Sequence, residues 1–408
     1  MTVDLRNLEP GQWEHWFDGI DRAFGGSFVA EHRAFWKSVN EPERSIAAWD
    51  GDAIVGSAGA FSFRLSVPGG ALVPAAGVTA VSVQPTHRRR GLLTAMMRRQ
   101  LDDVRERGEA LAVLTASEPE IYGRFGYGVA SEEVGLEIDT TRVRLALPEG
   151  VDGVRLRLVG LEEGLEACEA VYGQLATSRP GLLARRPGWE RHALVDAPTA
   201  RRGASERQCV LAEVDGEVRG YARYAVKPEW GPRGPEGTVI VRDLDALDPV
   251  VRAALWRYLF GIDLTSKIVA PNRPADDPLL HLVSDVGRCG VGTQEGLFAR
   301  LVDVGAALEA RTYPSAVDVV FEVADSFCPW NEGRWRLSGD AKGAVCARTT
   351  DPADLALSVR ELGSAYLGGF SLGAMARAGR VRELRDGALA EAALAFRSDL
   401  APWLPHGF

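Results

Sequence analysis

Residues 83–96 read VQPTHRRRGLLTAM. Three arginines run into Gly91, and a helical pattern starts at once. Leu93, Met96, Met97, Leu101 and Val104 share one face of a helix predicted over 91–107. A helix N-terminus offers unpaired backbone N–H groups and positive partial charge. A strand that enters it through a glycine lets those groups converge on an anion. Arg89 and Arg90 add charge, and together with Gly91 they suit a pyrophosphate. The alternative is a basic helix cap facing solvent, and a short glycine motif alone leaves the two readings level.

The neighbouring segments set the loop in a sheet. Upstream, SIAAWDGDAIVGSAGAFSFRLSV (45–67) reads as two strands joined at Asp50-Gly51, a hairpin signal. A turn at 68–70 leads into the strand GVTAVSV (77–83). Downstream, LAVLTA (111–116) is a short apolar run suited to a buried central strand. A short helix, EPEIYGRF (118–125), and further strands follow. Near the start, Trp13, Trp16, Phe17, Ile20 and Phe24 recur at helical spacing, and a second short helix over 31–37 carries Trp36. The order is two helices, three strands, helix, strand, helix, strands, which predicts a mixed α/β sheet with helices on both faces.

A weaker echo follows. LAEVDGEVRGYARY (211–224) resembles IAAWDGDAIVGSAGAF (46–61), with Asp-Gly between apolar strands in both. DALDPVVRAALWRYL (245–259) is a capped amphipathic helix after a strand. Its entry reads VIVRDLDALDPV, where aspartates would repel a pyrophosphate, so this second copy is expected to bind none. PNRPADDP (271–278) is expected to be a surface loop. From about 297 the texture changes to alternating strands (317–327, 334–350) and a strand-helix-helix stretch (351–385), a third α+β domain. The division expected is 1–150, 151–292 and 293–408.

Composition narrows the function classes. A net charge of −9 argues against a nucleic-acid binder. The five cysteines are scattered with no C-x-x-C pair, as expected for reduced, mostly buried thiols of a cytoplasmic protein. The six histidines show no metal-ligand spacing, so no metal is expected. No apolar run approaches ~20 residues, so no membrane span is expected. The opening MTVDLRNLEP lacks the pattern of a signal peptide.

Hairpin strands, VTAVSV, an R-x-x-G-x loop, a helix and a buried strand together resemble the GNAT superfamily of N-acetyltransferases. That pattern usually has a small residue two after the glycine, where this chain has Leu93. VQPTHRRRGLLTAM, LTASEPEIYGRFGYG (114–128), LGSAYLGGF (362–370) and the aromatic C-terminus look like the Eis ("enhanced intracellular survival") acetyltransferases of actinobacteria, which also carry leucine there. The resemblance covers essentially the whole chain. It implies tandem GNAT folds, the first active and the second degenerate, and a C-terminal sterol-carrier-protein-like domain. It also implies a homo-hexamer and acetylation of amines such as aminoglycosides and lysine side chains, with acetyl-CoA as cosubstrate. The implied coenzyme contacts are Val81, Ser82 and Val83, the loop Arg89, Arg90, Gly91, Leu92, Leu93 and Thr94, and Ser117 and Glu118. Arg88 is left to the surface or the coenzyme's 3′-phosphate. The implied general acid is Tyr122, and the implied base is the terminal carboxylate on Phe408.

These roles make chemical sense. The attacking amine must lose a proton, since a lysine-like ammonium has pKa ~10.4, and the leaving thiolate must be stabilised. A tyrosine hydroxyl can offer a hydrogen bond that strengthens as charge builds on sulfur; the plain alternative for Tyr122 is a core aromatic beside Phe125 and Tyr127. A terminal carboxylate, with pKa ~3.5, is a weak base unless burial raises it. Its plain alternative is a frayed end, but Trp403, Leu404 and two prolines give the tail the means to dock. Phe24 and Trp36 could wall an acceptor pocket by cation–π contact, or simply pack in the core. No cysteine lies near the loop, which favours direct transfer over an acetyl-enzyme. The rival functions are a lipid or acyl-CoA binder with a vestigial transferase domain, and a transferase dedicated to one protein lysine.

Overall fold

The computed structural model describes residues 3–26, 28–232 and 234–408. In chain order the first part contains β1 (Asp4–Asn7), α1 (Trp13–Ala23), α2 (Ala30–Val39), β2 (Ile46–Asp50), β3 (Ala53–Ser66), β4 (Leu72–Val83), α3 (Leu92–Glu106), β5 (Leu111–Thr115), β6 (Gly128–Val129) and β7 (Glu132–Asp139). Gly51 and Asp52 turn the β2–β3 hairpin between the paired Asp50 and Ala53, with Gly51 at φ +60°, as the two-residue turn requires. Tyr122 rides on a 3₁₀ turn, Pro119–Phe125, that ends at Gly126 with φ +84°.

The second part contains β8 (Arg155–Val159), α4 (Leu161–Leu175), β9 (Leu183–Ala184), β10 (Gln208–Val214), β11 (Glu217–Lys227), β12 (Trp230–Gly231), β13 (Gly234–Pro235), β14 (Gly237–Ala246), α5 (Pro249–Phe260), β15 (Thr265–Pro274), α6 (Leu279–Leu282), β16 (Gly292–Glu295) and β17 (Leu297–Leu301). The third contains α7 (Val304–Glu309), β18 (Val317–Ala324), β19 (Gly333–Asp340), β20 (Gly343–Arg348), β21 (Leu355–Ser358), α8 (Val359–Tyr366), α9 (Leu372–Arg377), β22 (Val381–Glu383) and α10 (Ala388–Ala395).

The sheets do not follow the divisions at 150/151 and 292/293. The first sheet runs β1-β2-β3-β4-β5-β17-β6, so β17 returns from beyond residue 292 to lie between β5 and β6. The second runs β16-β7-β15-β14-β11-β10-β8, so β7 leaves the first part to join it. The exchange has a packing reason. Leu297, Ala299 and Leu301 are fully buried and complete the first sheet, while Val134, Leu136 and Ile138 are buried in the second core. The third sheet is β20-β19-β18-β21-β22. One apolar core joins it to the first sheet: Phe63, Leu111 and Leu297 share a cluster with Phe321, Leu337 and Tyr366.

One expectation is overturned. The stretch 271–278 is not a surface loop: β15 extends to Pro274, and Arg273 and Asp277 are 2% and 0% exposed. Their charges cancel in a 2.6 Å ion pair, which is what allows both inside. All five cysteines are buried free thiols.

Candidate active site

The site begins with a gap in the first sheet. β4 and β5 pair in parallel only from Ala75–Leu111 to Gly77–Val113. Beyond Gly77, β4 continues to Val83 with no strand on that flank. The free edge over 78–83 can accept an extended ligand by strand-like pairing. A bulge on β4, where Ala80 and Val81 oppose Ala58 between the Ser57–Ser82 and Gly59–Thr79 pairs, bends the strand at this place, with Ala80 at φ +52°. Ser82 faces inward and shares a 2.8 Å hydrogen bond with Ser57 Oγ, so its side chain is engaged and its backbone is what remains for a ligand.

The arginine loop follows. Gly91 caps α3 at φ +80°, and no side chain caps this helix. The N–H groups of its first turn therefore have no partner within the helix. Arg89 also adopts positive φ, +62°, which curls the loop around that terminus. Arg89, Arg90, Gly91 and Thr94 are exposed. Leu93 packs toward the core beneath β4 and β5, and Leu92 against the β2–β3 face. A leucine at position 93 therefore leaves the loop's outer surface clear. Arg88 turns back, its Nε donating to the Val83 carbonyl at 3.4 Å.

A cavity of about 300 Å³ opens where the strands part. Val81, Ser117, Glu118 and Tyr122 line one side. Phe24 and Trp36 line the other, and Phe408 closes the floor. Seven of the residues singled out in the sequence thus meet in one space. Ser82, Val83 and residues 89–94 do not border it; they continue along the edge of β4 to the loop.

Tyr122 is half-buried, and no hydrogen-bond partner is found for its hydroxyl among the described residues. Burial, and then the nearby Glu118 carboxylate, push its pKa up to about 12. The hydroxyl stays protonated through the neutral range and is a ready donor.

The C-terminal tail is docked rather than frayed. Trp403 and Leu404 are 6% and 3% exposed. The Trp403 indole N–H donates to Asn272 Oδ1 at 2.6 Å, and Asn272 Nδ2 donates to the Leu404 carbonyl at 3.1 Å. The Trp403 backbone N–H donates to the Pro180 carbonyl at 3.0 Å. The terminal carboxylate of Phe408 accepts from Thr79 Oγ1 at 3.1 Å, on the free stretch of β4. The Phe408 ring packs edge-on against Phe63 at 5.1 Å. Gly77 makes room for it, because a Cβ there would sit 2.4 Å from the Phe63 ring and 3.1 Å from Phe408.

Sequence reasoning passed over part of the aromatic wall. Trp13, Trp16 and Phe17 also line the cavity, as do Phe28 and Phe61. The first three share the helical spacing of Phe24, but periodicity alone reads as core, and Trp16 is indeed 3% exposed. Trp36 joins wall and core: it stacks on Phe61 at 6.0 Å and touches Trp189 at 5.8 Å.

The second sheet has a matching gap, but it is filled. β14 and β15 pair in parallel only as far as Ile240–Val269. Past that point Arg273 Nη1 donates to the Leu244 carbonyl at 3.2 Å, across the opening. Its guanidinium lies 5.5 Å from the Trp403 ring. The helix entry is capped by Asp248, which accepts from the Val251 N–H at 2.9 Å. A carboxylate thus occupies the place that the first domain leaves open. Among the described residues no group of His, Cys, Asp and Glu is placed to hold a metal ion, and no helix is long and apolar enough to cross a membrane.

Comparison with known proteins agrees with this architecture. Residues 4–130 and 181–301 each match a family described as an acetyltransferase (GNAT) domain, and residues 304–405 match a sterol carrier protein domain. An uncharacterized N-acetyltransferase of Streptomyces avermitilis is 62% identical over the full length of both chains. The N-acetyltransferase Eis of Mycobacterium tuberculosis is 34% identical, with 98% of each chain covered. The crystal structure of Eis1 from Mycobacterium abscessus superposes with a TM-score of 0.86 at 35% identity, covering all of both chains. With this identity sustained across all three domains, the chain belongs to the Eis family of GNAT N-acetyltransferases.

Proposed function

We propose that the chain transfers the acetyl group of acetyl-CoA directly to primary amines of polycationic acceptors, aminoglycosides and lysine side chains among them. The observation that carries this reading is the meeting of Tyr122 and the Phe408 carboxylate in one cavity at the open edge of β4. The residues present fit the coenzyme. The free edge from Val81 to Val83 suits an amide-bearing arm, and the uncapped turn from Arg89 to Thr94 suits a pyrophosphate. Ser117 and Glu118 border the reacting end. Bound acetyl-CoA supplies the acetyl group and a thiolate leaving group.

The remaining work falls to this chain's side chains and terminus. The aromatic wall, with Phe24 and Trp36, receives the cationic acceptor by cation–π attraction and excludes water. The Phe408 carboxylate, with Glu118, draws the ammonium in and takes its proton, directly or through water. Tyr122 donates a hydrogen bond to the departing sulfur, and its high pKa keeps that proton in place until charge develops. The filled gap of the second sheet supports a scaffold role for that domain, without coenzyme. The hexamer that the family resemblance implies is part of the proposal, and light scattering on purified protein tests it.

A panel of aminoglycosides, polyamines and lysine peptides, assayed for thiol release, tests the acceptor class. Turnover of several polycationic amines is expected. Turnover of a single lysine peptide alone would favour a dedicated protein acetyltransferase, and no release with any amine would overturn the reading.

A further inference from the structure

Behind the acceptor cavity lies a second one, of about 230 Å³. It is bounded by the 3₁₀ turn Trp189–Leu194, by Arg207 just before β10, by strands β11 and β14, by α2 and by the tail at 405–407. Arg185, Arg207, Arg223 and Arg242 line it, against only two carboxylates, Glu190 and Asp243. Partial neutralisation comes from outside the wall. Glu169 pairs with Arg185, and Asp196 is shared between Arg207 and Arg201. Asp243 holds Arg223, which is 3% exposed, at 2.9 Å. Glu190 is occupied by the Gly188 N–H at 2.8 Å. Arg242 has no carboxylate within ion-pair distance among the described residues, and the buried Arg207 Nε reaches Asp196 only at 3.5 Å, without hydrogen-bond geometry. Four guanidinium groups therefore face the space, while two of the four carboxylates that balance them, Glu169 and Asp196, lie behind its wall, so the charge nearest an anion placed there is positive.

We propose that this second cavity is a binding site for a compact polyvalent oxyanion of the phosphate or sulfate class. Its volume falls below the usual range of pockets for drug-sized ligands and suits a compact one. Planar guanidinium groups are the side chains best matched to oxyanions.

Three histidines face the same space: His32 from α2, His192 from the 3₁₀ turn and His406 from the tail. All three are held below the ordinary histidine range, first by burial and then chiefly by the arginines, His192 at about 4. Arg185 Nε donates to His406 Nε2 at 3.3 Å, consistent with a neutral imidazole. An anion among them offsets the field of the arginines and raises their proton affinity. Binding is then linked to proton uptake and tightens as pH falls. The site also bears on the acceptor cavity. His192 packs on Trp36 at 5.7 Å, and His406 lies two residues from Phe408, so a bound anion braces both.

Isothermal titration with inorganic phosphate and with sulfate, at pH about 8 and about 6, tests the proposal. Three proteins are compared: the unaltered chain, an R89Q/R90Q variant that weakens the coenzyme loop, and R242Q, which removes an exposed cation with no partner to orphan. Saturable binding is expected in the first two, and for sulfate, whose charge is the same at both pH values, it should be several-fold tighter at the lower pH. R242Q should bind about tenfold more weakly. Undiminished binding by R242Q, loss of binding in R89Q/R90Q, or no saturable binding to the unaltered chain would overturn the proposal. The readout is binding, so it stands or falls apart from the acetyl-transfer reading.

Discussion

Two residues at the cavity carry predictions of their own. Tyr122→Phe removes only the hydroxyl, so kcat should fall about 10²-fold while the dissociation constant for acetyl-CoA stays unchanged. Because the Tyr122 pKa is raised to about 12, the donor keeps its proton up to that pH. The kcat profile of the unaltered enzyme should therefore show no decline near pH ~10, where an ordinary tyrosine ionises. Gly77 supplies space rather than chemistry. Gly77→Ala would press a Cβ into the Phe63 ring and toward Phe408, so activity should drop several-fold, with KM for the amine rising, as steady-state kinetics would show. In the sequence Tyr122 and Phe408 are singled out through the resemblance to the Eis acetyltransferases and Gly91 through its place between a strand and a helix; the structure brings Tyr122 and Phe408 to one cavity. Trp13, Trp16 and Phe17 were not legible as part of it: a helix that buries aromatics in a core and one that turns them to a cavity share one periodicity.

Among the elements, the tail is held most unexpectedly. It is tied to Asn272 on β15, to Pro180 and to Thr79 on β4. Trp403→Ala should cost about 3–5 kcal/mol through lost packing, measured by denaturant titration. It should also lower kcat by loosening Phe408. Apolar residues and prolines at 402–408 announced that the tail could dock, but not where. The docking partners lie more than a hundred residues away, and only the folded chain brings them near. Residues 271–278 show the converse failure. Their charges and prolines have the composition of a surface loop, and only the pairing of Arg273 with Asp277 makes them core. The alanine-rich helix α10 carries no polar–apolar period to betray it.

For the whole molecule, the exchange of β7 and β17 means that neither of the first two domains is complete within its own stretch of chain, whereas the third sheet lies wholly within its own. A fragment covering 1–130 lacks β17, which lies between β5 and β6. It should give no cooperative thermal unfolding by circular dichroism, whereas the full chain should. Local patterns identified β2, β3, β4, β5, β10, β11 and β14 of these sheets but neither β17 nor the exchange, because a strand's period does not name its partner. The same interleaving explains how a terminus reaches a cavity built from residues 13–122: the third domain shares its core with the first, and the tail crosses Pro180 and Asn272 of the second part to reach Thr79. The central claim is that the carboxylate at the end of the chain takes the proton of the amine. Appending one glycine after Phe408 moves that carboxylate one residue further on and leaves every side chain in place. The decisive measurement is kcat of this extended protein, with acetyl-CoA binding measured alongside. In the extended chain kcat should fall about 10²-fold with unchanged acetyl-CoA affinity; full activity there would mean that the terminal carboxylate is not the base.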